Sequence, residues 1–298
     1  MSGFDSVLAG TVTLKRLWRV FGEHPLTKDR RIRAYLRFVV FQIACRVLKA
    51  NLIIDWLGGV KLVVGPGMTG VTGELYTGLL EFEDSLFTLH LLRPGELFAD
   101  VGANAGTYSL LASKIAHCHV IAFEPAASAA EMLRTNLALN GVTDQVEVVE
   151  KGVSDKASVL RFTTNKDALN RVTISEGPGT TAIHVDTLDA LLGDREPSFI
   201  KIDVEGHEKQ VIDGAQRAFA SPKLLAIQIE TGEKAIENEV LGLMTAQGYQ
   251  PCVYEPLSRQ LTVTKALSPH NTLFVRNLAE VQERLKAAPA VDVYGRPY

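Results

Sequence analysis

The chain has 298 residues, 46% hydrophobic and 22% charged, a composition that builds a sizeable core without disulfide or metal staples. Its formal charge of -3, from 31 basic against 34 acidic side chains, excludes a strong overall attraction to nucleic-acid phosphates. Cys45, Cys118 and Cys252 are far apart and form no metal-binding or disulfide spacing, which points to a reducing, cytoplasmic setting.

Residues 1–72 read as a mainly helical amino-terminal extension. The opening MSGFDSVLAGTVTLKRLW lacks the basic region and long apolar run of a secretory signal. Basic side chains gather here, among them Lys15, Arg16, Arg19, Lys28, Arg30, Arg31, Arg33, Arg37, Arg46 and Lys49. Over residues 29–57, Ile32, Tyr35, Leu36, Val39, Ile43, Val47 and Leu48 recur at threes and fours, the period of an amphipathic helix. Its apolar stripe has three candidate partners: the rest of the chain, a second copy in a homodimer, or a peripheral membrane surface. No membrane-spanning helix is expected, because Arg46, Lys49 and Asp55 interrupt the apolar run.

KLVVGPGMTG, residues 61–70, predicts a loop or hairpin, and LEFEDSLFTLHLL a helix over residues 80–92 that Pro94 and Gly95 stop. From residue 96, apolar runs of strand length alternate with helices. LFADV precedes a helix over 107–114, HVIAFE one over 128–140, FIKIDV one ending near Phe219, and LLAIQIE one over 234–247. VEVVEK adds a further strand followed by an excursion, in which VLRFTTN is a short strand and a polar loop runs through Gly179. This alternation implies a mostly parallel sheet covered by helices on both faces, with ligands at the carboxyl ends of its strands. YQPCVYEP, QLTVTK and NTLFVRN follow without intervening helices and predict an antiparallel finish. The expected domain covers residues 73–280, and residues 281–298 form a tail whose end frays.

The turn in FADVGANAGTYSLLA carries the first chemical signal. Gly102 permits a tight exit from the strand, and Gly106 lets the next helix start close to ligand and sheet. Asn104 stands where a dinucleotide loop has its middle glycine, and the spacing to Gly106 is one residue short of that pattern. Asp100 would repel a pyrophosphate and attract an ammonium or sulfonium. Those two observations favour S-adenosylmethionine over NAD. Glu124 ends the following strand, where an acid accepts hydrogen bonds from two ribose hydroxyls. Gly152, Val153 and Ser154, after the third strand, are candidates for contacts with the adenine.

FIKIDVEGHEKQVIDGA carries the second signal. Asp203 stands at the end of the fourth strand, with Glu205 and His207 following across Gly206, and Glu230 ends the fifth. Transfer of a methyl group to a hydroxyl needs the acceptor positioned in line with the departing sulfur and its proton removed. Asp203, Glu205, His207 and Glu230 are the catalytic candidates, with Asp203 or His207 as base. A metal could gather Asp203, Glu205 and Glu230, but no His/Cys spacing enforces one, and none is expected.

FADVGANAGTYSLLA, VIAFEP, HVDTLDALL, FIKIDVEGHEKQVIDGA and NTLFV together resemble, in order, the recurring segments of the FkbM-type methyltransferases, within the class I S-adenosylmethionine-dependent enzymes. The resemblance covers about residues 74–276. It implies an α/β, Rossmann-like sheet of strand order 3-2-1-4-5-7-6 with strand 7 antiparallel. It also implies cofactor contacts from Asp100, Gly102, Asn104, Gly106 and Glu124, and O-methylation of a small molecule, a sugar or glycolipid, or a polyketide-like metabolite. Tyr76, Glu81 and Glu83 stand where the family often places a tyrosine and acids, at the rim of the cleft. The alternatives are an NAD(P)-dependent oxidoreductase, disfavoured by Asp100 and Asn104, and a noncatalytic nucleoside-binding or scaffold protein. No nucleic-acid partner is expected, since no extended basic, aromatic-laced tract is present.

Overall fold

The structure, a computed structural model, describes residues 14–65, 68–163, 172–173, 179–232 and 234–298. The chain divides after Phe82 into two compact units.

The first unit contains α1 (Leu14–Glu23), α2 (Arg31–Leu48), a hairpin of β1 (Leu52–Asp55) and β2 (Lys61–Val64), and α3 (Thr69–Thr77). The helix expected over residues 29–57 is therefore shorter. Lys49 adopts a left-handed conformation (φ 50°) and its amide closes on the Cys45 carbonyl at 3.1 Å, which terminates α2. The residues beyond it pair their backbone with β2 instead, so the hairpin predicted near residue 61 starts at Leu52. Leu17, Phe21, Ala34, Phe41, Leu62, Val64 and Tyr76 are buried. Tyr76 is fully buried, with its ring 5.2 Å from Phe38 and 5.9 Å from Phe41. It packs inside the first unit, where edge-to-face aromatic neighbours enclose it.

The helix α4 (Phe82–Leu91) starts at the last residue of the first unit, and the second continues with β3 (Leu97–Val101), α5 (Thr107–Leu110, extended by a wider turn through Ile115), β4 (His119–Phe123), α6 (Ala127–Asn140) and β5 (Val146–Val149). Next come β6 (Gly152–Ser154), β7 (Ser158–Thr163), β8 (Val172–Thr173), β9 (Thr180–Thr187), α7 (Leu188–Leu192), β10 (Phe199–Ile202), α8 (Glu208–Asp213) and α9 (Gln216–Ala220). The chain ends with β11 (Ala226–Glu230), α10 (Lys234–Ala246), β12 (Gln250–Glu255), β13 (Gln260–Val263), β14 (Asn271–Val275) and α11 (Leu278–Lys286).

The large sheet runs β5-β4-β3-β10-β11-β14-β12-β13. The strands from β5 to β11 are parallel, whereas β14 is antiparallel to both of its neighbours. Seven of these strands lie in the order 3-2-1-4-5-7-6, and β13 adds an eighth by folding back on β12. The central strands are buried on both faces, as a parallel sheet layered by helices requires. Phe98 and Phe199 stack across β3 and β10 with ring centres 5.3 Å apart.

Three expectations change here. The excursion after β5 builds its own four-stranded sheet, β6-β9-β7-β8, because Phe162, Ile183 and Val185 pair the alternating strands over a small core. The polar loop placed before Gly179 lies largely outside the described residues. The helix expected to end near Phe219 is two helices, separated at Gly214, where a Cβ would stand 2.0 Å from the Ser154 carbonyl oxygen. Nor does the carboxyl-terminal tail fray: Val293 is fully buried, Val291 and Tyr298 exchange backbone hydrogen bonds at 2.9 and 3.0 Å, and the Arg259 guanidinium donates to the carbonyls of Ala288, Pro289 and Tyr298.

Among the described residues, no helix is long and apolar enough to cross a membrane. All three cysteines are buried and unpaired.

Candidate active site

The parallel registers of β3, β4, β10 and β11 bring four strand ends to one edge of the sheet. At the end of β3, Gly102 takes φ 83°, and a Cβ there would stand 1.8 Å from the carbonyl oxygen of Asp203. Only glycine fits this close approach of two loops. Gly106 takes φ 89° at the start of α5, and a Cβ would collide with Leu133 at 2.2 Å. Asn104 is left-handed (φ 48°), a conformation that asparagine tolerates better than most residues.

That turn delivers the Asn104 amide to Glu124. Glu124 Oε2 accepts from Asn104 N at 2.8 Å and Oε1 from Ala126 N at 2.9 Å, so β4 and the glycine loop are tied through one carboxylate. Burial pushes the Glu124 carboxyl up to about 7, against the lowering effect of the two amides. Gly102, Asn104, Gly106 and Glu124 thus form one structural unit.

Asp100 lies beneath them. It is 1% exposed, accepts a 2.7 Å hydrogen bond from Ser109 Oγ, and is raised from the usual carboxylate range by burial, with the Lys201 ammonium pulling the other way. Lys201 is 3% exposed, donates to Asp203 Oδ2 at 2.6 Å and sits 4.7 Å from the centre of the Tyr108 ring. Gln228, directly across from it on β11, donates to Tyr108 Oη at 3.3 Å. Sequence reasoning did not select Lys201, Tyr108 or Gln228 as site residues. The signal for Lys201 and Gln228 is a polar residue interrupting a buried strand, Lys201 in FIKI and Gln228 in AIQIE.

Asp203, Glu205 and Glu230 meet above this layer, with one carboxylate oxygen from each within 4.8 Å of the others. Glu205 and Gly206 both have positive φ, 54° and 95°, which folds the loop after β10 back on itself. Burial raises Glu230 well above the carboxylate range, and Asp203, Glu205 and Glu208 reinforce the shift. Glu208, 1% exposed, accepts from Gly206 N at 3.0 Å and is pushed up to about 7 by burial.

His207 turns elsewhere. Its Nε2 lies 2.9 Å from Ser154 Oγ, and burial holds its pKa below the ordinary imidazole value. Ser154 is buried, the Val153 side chain belongs to the main core, and Gly152 leaves room for Val185, whose Cγ1 would be 2.9 Å from a Cβ. The structure thus groups Asp203, Glu205 and Glu230, and pairs His207 with Ser154.

Residues 100–251 match the Methyltransferase FkbM domain, just over half of the chain. The chain is 29% identical to a hexuronic acid methyltransferase, AglP, of Haloferax volcanii, over 45% of this chain and 55% of that protein. It is 33% identical to the 31-O-demethyl-FK506 methyltransferase FkbM of Streptomyces tacrolimicus, over 52% of this chain and 64% of that protein. The matched stretches span little more than half the length of these curated relatives. A solved S-adenosylmethionine-dependent O-methyltransferase from Thermotoga maritima superposes with TM-score 0.43 at 14% identity, covering 76% of this chain and 77% of that one. The domain match takes in the glycine loop, Glu124, Asp203, Glu205 and Glu230 in a single stretch, and the chain belongs to the FkbM methyltransferase family.

Proposed function

We propose that the protein is an S-adenosylmethionine-dependent O-methyltransferase acting on a hydroxyl of a small molecule, a sugar or glycolipid, or a polyketide-like metabolite. The observation that carries this reading is the convergence of Asp203, Glu205 and Glu230 at two strand ends, beside a glycine loop that touches the Asp203 backbone. The names of the two relatives, one a hexuronic acid methyltransferase and one acting on an O-demethyl compound, support an oxygen acceptor. The unpaired cysteines support a cytoplasmic location.

The donor set fits the cofactor. Gly102 and Gly106 leave both ends of the loop without side chains, and the Glu124 carboxylate retains lone pairs for two ribose hydroxyls beyond those used by the Asn104 and Ala126 amides. Asp100 contributes negative field from beneath the loop rather than by contact. Gly152, Val153 and Ser154 border the adenine through their backbone. When bound, S-adenosylmethionine supplies an electrophilic methyl group on a sulfonium. The chain orients the acceptor hydroxyl toward it through the acids at the strand ends, with Asp203 as the group that takes the hydroxyl proton. His207 holds Ser154 and so fixes β6 against the start of α8.

Calorimetry with S-adenosylmethionine and S-adenosylhomocysteine tests the cofactor assignment, and binding of neither overturns it. Incubation with methyl-labelled cofactor and extract of the producing cells, followed by mass spectrometry, identifies the acceptor. Cofactor binding without any labelled product would favour a noncatalytic nucleoside-binding protein.

A further inference from the structure

We propose that Asp203, Glu205 and Glu230 bind a divalent cation of the magnesium or manganese type, which orients the acceptor oxygen. The proposal rests on the methyltransferase reading of the same site. It departs from the metal-free expectation of the sequence, because strand register supplies what sequence spacing does not: oxygens from two strand ends within 4.8 Å. Lys201 offsets charge on the Asp203 side. A separate observation points to a ligand. Glu208 is 1% exposed, and its Oε2 is buried with no hydrogen-bond partner among the described residues. Glu208 opens the helix that follows the Glu205–Gly206 turn, and its other oxygen accepts from Gly206 N, so the carboxyl is anchored to the loop that carries Asp203 and Glu205. A buried oxygen of this kind leaves a place that a water or an ion completes. An all-oxygen set selects a hard cation over zinc or copper.

The test uses the full-length protein stripped with EDTA and titrated with manganese, with binding read by calorimetry and by the loss of free Mn(II) electron-paramagnetic signal. One manganese per chain is expected. Glu230→Gln and Glu205→Gln should each weaken it by at least the roughly 10–100-fold that losing even a supporting partner costs, whereas His207→Ala should leave it unchanged. Manganese should also raise the melting temperature of the parent protein but not that of Glu230→Gln. No manganese binding at millimolar concentration, or binding indifferent to both glutamine variants, overturns the site. If the stripped protein still binds S-adenosylmethionine and methylates at full rate, the cation proposal fails while the proposed function stands. If it binds metal but not the cofactor, the reverse holds.

A second inference rests on α2 alone. Ala34, Phe41 and Cys45 bury one face of this helix, while Ile32, Leu36, Val40, Ile43 and Val47 form an opposite stripe, 56–73% exposed. From Arg30 to Ile54 the sequence holds six cations and no acid, and Arg33 and Arg37, both exposed, border the stripe. We infer that this face rests on an anionic lipid surface, since apolar insertion and basic flanks match such a surface together. The full chain should co-sediment with vesicles of equal parts phosphatidylcholine and phosphatidylglycerol, and not with phosphatidylcholine alone. Arg33→Gln with Arg37→Gln should lower partitioning roughly thirtyfold, and Leu36→Glu with Ile43→Glu should abolish it with circular dichroism unchanged. Failure to bind the anionic vesicles overturns the inference, as does a dimer in solution that the Leu36/Ile43 substitutions dissolve.

Discussion

Glu124 joins two functions in one carboxylate, since it receives the Asn104 amide and stands where a ribose would bind. With its carboxyl pushed up to about 7, protonation competes with acceptance of the ribose hydroxyls. Cofactor affinity should therefore fall on acidification below neutrality, approaching tenfold for each pH unit, and Glu124→Gln should bind more weakly with a flatter pH profile in calorimetry. Lys201 is the residue whose loss should cost most. Lys201→Met leaves Asp100 and Asp203 without their buried cation and should destabilise the protein by about 3 kcal/mol in urea unfolding, with part of that recovered by adding Asp100→Asn. Glu124 was legible in sequence because it closes an apolar strand. Lys201 was visible as a polar residue there, but its role depends on Asp100 lying in register on the neighbouring strand, which no local pattern encodes.

Elements of this chain were legible where period and punctuation agreed. The helix over 127–140 ends at left-handed Gly141, and the strand–helix alternation from residue 97 marks the sheet. Legibility failed where a tertiary contact overrode local pattern, as at Gly214, whose closeness to Ser154 separates α8 from α9. Gly102 is a parallel case with a sharper consequence. Gly102→Ala combines a positive φ with a backbone clash, so it should cost about 2 kcal/mol or more and displace Asp203, which thermal melting and cofactor titration would both register. In the first unit, Glu74 is 6% exposed, accepts from Leu80 N at 3.0 Å and is pushed up to about 8 by burial. A native acid with a raised pKa holds a proton that the unfolded chain has released, so its contribution to stability declines as pH rises from its unfolded value near 4.5 toward 8. Melting of the parent protein should show that decline, and Glu74→Gln should remove it.

At the scale of the molecule, the final twenty residues belong to the fold. Deleting residues 289–298 exposes the site of Val293 and strips carbonyl acceptors from Arg259. It should cost at least the roughly 1.5–3 kcal/mol of one buried aliphatic side chain, read as a lower melting temperature. The order of the sheet has a further consequence for synthesis. β14, made near the end of the chain, is the strand that lies between β11 and β12. While the polypeptide is still emerging from the ribosome, β11, which carries Glu230, presents a bare edge open to mispairing. β11 therefore gains its outer neighbour only once Asn271–Val275 has been made, and nascent fragments that stop before Asn271 should need chaperone cover.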